Sequence, residues 1–224
     1  MNTALFVVSF FSVHAGVESF LGPLSLWPRA VVTVPALWQL FTYMFLHDPF
    51  GFAHILFNML ALWMFGADLE RDWGTRRFLE YYFLCGVGAG VTAVGANLLF
   101  GNPDARTIGA SGAIYGLLLA FGVLYPDRIV LMSFLFPIKA KYFVMIMGAI
   151  AFMSSMGASG GGISHVAHLG GMIFGLLFLK RRKHRLVITT SSGGWYGQWK
   201  RNRARKKFNV YLRDHDSKRG PWVN

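Results

Sequence analysis

Charge is what this sequence has least of. Only 14% of its 224 residues are Asp, Glu, Lys or Arg, where a soluble domain carries about 25%. That shortage argues against an ordinary water-soluble globule. Cysteine is nearly missing as well. Cys85 stands alone, which excludes an internal disulfide and any cysteine-rich metal site. There is no His-Glu-x-x-His pair for a zinc hydrolase, and no segment repeats.

What is present is apolar. Hydrophobic residues make up 54% of the chain and aromatics 16%, in runs rather than in alternation. Six stretches are long and apolar enough to be read as spans, at about 3–21, 53–69, 78–100, 109–125, 140–157 and 164–179. The first lacks a basic leading segment and a clear small-residue cleavage site, so it is read as a span rather than a signal peptide. The fold class expected is an all-α membrane protein, with one membrane domain over 1–180 and a basic tail over 181–224.

The net charge of +12 is unevenly placed. Residues 1–179 hold eight basic and eight acidic groups, so the whole excess sits from Lys180 onward. Nucleic acid and anionic lipid both attract such a tail. Directly after a span, lipid headgroups are the expected partner and nucleic acid is not. With both termini cytoplasmic, the inner loops and tail carry twenty Lys or Arg residues, and the outer side keeps only Arg29 and Arg106. That is a decisive positive-inside bias. The long outer loop, about 22–52, holds Trp27, Trp38, Phe41, Tyr43, Phe45 and Phe50, and is expected to lie partly in the interface.

In this topology spans two, four and six all begin on the outer side. Their outer ends carry His54 and Asn58, then Ser111, then His165 and His168. Polar groups at membrane depth are costly and face a cavity or one another. Three helices that place polar groups at similar depth therefore suggest one site.

Gly109-Ala110-Ser111-Gly112 opens the fourth span. A serine hydroxyl needs a nearby base to become a nucleophile, and unpaired N–H groups at a helix start can hold an oxyanion. The competing explanation is packing, because Gly112 and Gly116 form a small-xxx-small pair. Tyr115 lies one turn below Ser111. Either histidine of Ser164-His165-Val166-Ala167-His168 is a candidate base. At 100° per residue, His168 falls about 20° from Gly175 and about 60° from Gly171, on the glycine face where another backbone approaches. His165 lies about 80° and about 120° from them, which favours His168 and leaves His165 as the alternative. Depth counting fits less well. His168 stands about 18 Å above Lys180 and Ser111 about 22 Å above Pro126. His54 and Asn58 share a helix face at i and i+4, as oxyanion donors or as interhelical hydrogen-bonding residues. A His-x-x-His metal site would lack a carboxylate at the same depth.

Taken jointly, four motifs resemble the rhomboid proteases. They are His54-x-x-x-Asn58, Gly66-Ala67-Asp68-Leu69-Glu70 through Gly74, Gly109-Ala110-Ser111-Gly112 with Tyr115, and Ala167-His168-x-x-Gly171-x-x-x-Gly175. The resemblance covers roughly residues 1–180. It implies a six-transmembrane-helix bundle and a Ser111–His168 dyad without an aspartate. It implies oxyanion roles for His54 and Asn58, a Tyr115 ring packed on His168, and glycines 109, 112, 171 and 175 supporting the dyad. No cofactor or metal is implied. The implied substrate is a single-span membrane protein cut near or within its span. Short loops and the lack of targeting signals suggest a bacterial inner membrane. The rival readings are a catalytically inactive relative acting as a membrane chaperone or trafficking factor, and a small polytopic transporter.

Overall fold

The computed structural model describes residues 1–14, 21–132, 135–156 and 162–190. The basic tail beyond Thr190, with most of the expected lipid-binding segment, lies outside the described residues. Met1–Leu179 form one compact unit and Lys180–Asn224 a second.

Among the described residues eight α-helices and one hairpin follow in chain order: α1 Asn2–His14, α2 Pro28–Thr33, α3 Gln39–Thr42, α4 Phe52–Trp73, α5 Thr75–Phe100 and α6 Ser111–Leu124, then β1 Ile129–Met132, β2 Phe136–Lys139, α7 Ala140–Ser155 and α8 Gly162–Thr190. A helix occupies each of the six apolar stretches, although residues 15–20 of the first lie outside the described residues. By length and composition α4 and α5 can each cross a bilayer, while α1, α6 and α7 are shorter apolar helices.

Two regions read from the sequence as plain loops carry structure. The outer loop holds α2, whose first residue is Pro28, a position where the missing N–H costs nothing. Tyr43 and Phe45 of this loop turn inward, while Trp38 and Phe50 stay exposed. The segment between α6 and α7 folds into an antiparallel hairpin with Ile129 opposite Lys139 and Met132 opposite Phe136. Apolar and β-branched residues at 129–132 favour the extended form, and Pro137 is tolerated because a two-stranded hairpin has free edges. The helix of the sixth apolar stretch, α8, runs on past 179 to Thr190.

The turn from α4 to α5 is made by Gly74 alone, at φ 77°, a region that L side chains avoid. Beyond it, α5, α6 and α8 pack backbone to backbone. A Cβ on Gly171 would strike the Gly112 carbonyl, one on Gly112 would strike Ala89, and one on Gly116 would strike Cys85. Between apolar helices in lipid, such close approach supplies the dispersion contacts that association depends on. The buried Tyr81 hydroxyl seals the α5–α6 contact by donating to the Gly116 carbonyl at 2.7 Å, and Tyr43 ties the outer loop to α5 by donating to the Gly86 carbonyl at 2.7 Å. A second apolar cluster joins α4, α6, β1 and α7 through Phe65, Leu118, Phe121, Val130 and Val144. Arg128 reaches Asp68 of α4 at 2.9 Å, which ties the hairpin's base to that helix.

Candidate active site

Ser111 is the first residue of α6. Helix geometry leaves the first N–H groups of α6 without intrahelical acceptors, so the serine sits beside free donors. The turn that delivers it depends on Gly109, whose φ is 117°. A Cβ there would be strained, and it would also press on the His54 imidazole at 3.0 Å. The Gly109 N–H donates to the Tyr43 carbonyl at 3.0 Å, which fixes the turn against the end of the outer loop.

Ser111 Oγ and His168 Nε2 are 2.8 Å apart. Contact between Gly171 and Gly112 brings α8 close enough to α6 for this. His168 is one turn before Gly171 and Ser111 is next to Gly112, so the side chains beside the contact point meet. Counting depth from Lys180 and Pro126 leaves the two residues about 4 Å apart, a gap that the close packing of α8 on α6 removes. The Tyr115 ring lies flat on the imidazole, with centroids 4.2 Å apart and an interplanar angle of 3°. His165 stands edge-on to His168 at 5.6 Å. Among the described residues no acceptor meets the His168 Nδ1.

His54 lines a cavity of about 240 Å³ with Tyr43, Gly109, Ser111, Ala167 and His168. Asn58 is buried, and its amide nitrogen donates to no acceptor among the described residues. It lies instead 3.8 Å from where a Gly109 Cβ would stand. His54 and Asn58 thus converge on the Gly109–Ser111 backbone. Asn58, Ser111 and Tyr115 also line a second, largely apolar cavity of about 360 Å³, which runs between α4, α6 and α7 to Val130 and Leu131. No three His, Cys, Asp or Glu side chains among the described residues come together as a metal would need.

The sequence reading passed over His47. It is buried at 3% exposure, and its ring is 5.1 Å from that of His54. Burial, and then the nearby His54, pushes its pKa down to about 4, so it is neutral at physiological pH. His47 precedes Asp48-Pro49 and stands seven residues before His54, in a stretch without the periodicity that would mark a buried residue. Gln39, also unremarked, is buried and bridges the outer loop, accepting from the Trp27 N–H at 2.9 Å and donating to the Pro23 carbonyl at 3.1 Å.

Fold and site together define an all-α membrane protein with a serine and a histidine in hydrogen-bond contact where two helices meet. The family model for the rhomboid domain matches residues 35–182. The mitochondrial Rhomboid protein 1 of Saccharomyces cerevisiae is 30% identical over 165 residues, covering 68% of this chain and 45% of that protein. The rhomboid protease GluP of Bacillus subtilis is 38% identical over 139 residues, covering 62% of this chain and 24% of that protein. The putative rhomboid protease YdcA of the same organism is 33% identical over 154 residues, covering 66% of this chain and 70% of that protein. The chain therefore spans less than half of the first two relatives and 70% of the third. This protein belongs to the rhomboid family.

Proposed function

We propose that the chain is an intramembrane serine endopeptidase that cuts single-span membrane proteins near or within their transmembrane segment. The observation that carries this reading is the 2.8 Å contact of Ser111 Oγ with His168 Nε2, beside an Asn58 amide that meets no acceptor among the described residues.

In the proposed reaction His168 Nε2 takes the hydroxyl proton while Ser111 Oγ attacks the scissile carbonyl carbon. The carbonyl oxygen becomes an oxyanion among the N–H groups at the start of α6, the Asn58 amide and His54. His168 then gives its proton to the leaving amine as the C–N bond breaks. In the second half, His168 takes a proton from water, hydroxide attacks the acyl-Ser111 ester, and the serine leaves with its proton restored. Stacked Tyr115 keeps the imidazole in plane, a task that a carboxylate performs in a catalytic triad. The chemistry calls for no metal or cofactor.

The six apolar helices act in this reading as six spans, with residues 1–180 as the catalytic domain and 181–224 as a cytoplasmic tail against anionic headgroups. The positive-inside bias puts both termini in the cytoplasm, and the short loops favour a bacterial inner membrane. In the test, the full chain in proteoliposomes is given a single-span substrate and a fluorophosphonate probe. Ser111→Ala should lose both labelling and cleavage, and His168→Ala should lose at least about 10³-fold in kcat. His165→Ala should keep most activity, and EDTA should change nothing. Cleavage that survives Ser111→Ala would overturn the reading, and an active His168→Ala beside a dead His165→Ala would overturn the choice of base.

A further inference from the structure

Ser111 is delivered by the loop 101–110, and that loop is held from one side by a short piece of the outer loop. Leu26 and Thr107 form an isolated antiparallel bridge, with hydrogen bonds of 3.0 and 2.9 Å. The Arg29 N–H donates to the Pro103 carbonyl at 2.9 Å. The Arg29 guanidinium grips both Asp104 oxygens, Nε and Nη2 each at 2.6 Å. Trp27 Nε1 donates to the same carboxylate at 3.2 Å. Arg106 lies over the Trp27 ring at 5.2 Å and reaches the Gly22 carbonyl. Trp27 is in turn fixed by Gln39. Thr107, at the end of this series, lines the cavity that holds Ser111 and His54.

We propose that Arg29 and Asp104, with Trp27 donating to the same carboxylate, are positioning residues that hold the Thr107–Ser111 segment in place, so that the Ser111 backbone donors face the same point as His54 and Asn58. The inference rests on the proposed proteolysis for its kinetic consequence, and on the geometry alone for its structural one. Arg29 and Asp104 touch neither the serine nor the cavity. They act through the three residues of backbone between Thr107 and Ser111. Their side chains are about half exposed, at 52% and 50%, so the pair contributes little to global unfolding. Its effect is local, because a loop opens on its own at lower cost than the whole fold. Oxyanion donors must be aimed within a fraction of an ångström. Bidentate geometry matters here, and lysine cannot reproduce it. The guanidinium holds the Asp104 carboxyl below the usual carboxylate range, so the pair is fully charged at neutral pH.

The experiment compares the full parent chain with Asp104→Asn, Arg29→Lys and the reversed pair Arg29→Asp/Asp104→Arg, all in proteoliposomes. Two quantities are read, the kcat and KM for a single-span substrate and the amide exchange of residues 105–111. Each single variant should lose about tenfold in kcat with KM unchanged within about twofold, exchange faster over 105–111, and melt at the parent temperature. The reversed pair should recover most of both. Unchanged kcat in the single variants, or a fall that tracks lowered melting and is not recovered on reversal, would overturn the proposal. If the parent cleaves nothing, the proteolytic reading fails and the exchange decides separately. Faster exchange in the single variants, restored in the reversed pair, supports the clasp. Equal exchange in all four proteins overturns it.

Discussion

Ser111 and His168 are 57 residues apart in sequence, and what lets them meet is the absence of side chains beside them. Gly171 faces the Gly112 carbonyl with no room for a methyl group. Gly171→Ala should therefore push α8 off α6, lower the melting temperature in detergent by the equivalent of about 1–3 kcal/mol, and abolish fluorophosphonate labelling. Gly95 on α5 provides the contrast, because nothing lies within 4 Å of a Cβ there. Gly95→Ala should leave labelling intact and gain up to about 1 kcal/mol from helix propensity. Equal effects in the two variants would mean that the glycine face does not set the contact. This face was legible in the sequence because periodicity places His168, Gly171 and Gly175 on one side. His47 was not legible. It lies in an irregular loop without periodicity, and nothing local distinguishes a buried loop histidine from an exposed one.

Helix type and order followed from apolar runs, which are the strongest signal a sequence carries. The missed elements are short. Four-residue strands at 129–132 and 136–139 and the brief helices α2 and α3 take their shape from what they pack against. Val130, for example, is buried among Phe65, Leu118, Phe121 and Val144, a context that a window of eleven residues cannot contain. The hairpin is more than a connection, since Val130 and Leu131 close the far end of the cavity that starts at Ser111 and Asn58. If a substrate segment occupies that cavity on the proposed path, Leu131→Trp should raise KM several-fold while fluorophosphonate, a small reagent, labels Ser111 at the parent rate. Leu131 is half exposed at 50%, so folding should tolerate the larger ring. A parent-like KM would mean that the substrate does not reach β1.

For the whole molecule, the decisive number is the length of α6. Fourteen residues span about 21 Å, while the hydrocarbon of a bilayer is about 30 Å thick. In the proposed topology the inner end of α6 is marked by charge. Tyr125 bonds to Asp72, and Asp127 pairs with Lys139 and Lys141 at 3.1 and 3.2 Å. Such a cluster belongs at the aqueous boundary, in keeping with the basic inner side read from the sequence. If α6 starts from that boundary, Ser111 lies about 9 Å below the outer surface when the helix is upright, and deeper when it tilts. Peptide hydrolysis consumes water, and polar groups without partners do not face lipid. The roughly 240 Å³ cavity around Ser111, His54 and His168 must then fill from the outer aqueous side. This is tested by Ser111→Cys in a Cys85→Ala background, where the one native cysteine is buried at 0% exposure and its loss removes only a small apolar volume. A membrane-impermeant thiol reagent added outside sealed vesicles should modify the new cysteine, and the same reagent confined to the inner side should not. In the parent, a short substrate span whose helix is weakened by Gly or Pro near the cut should be cleaved faster than one with Leu at those positions, because the peptide bond must leave its helix to reach the serine. A Ser111→Cys thiol that is protected from the outer reagent, yet reacts with a membrane-permeant one, would place the site away from water and remove the basis for hydrolysis at this depth.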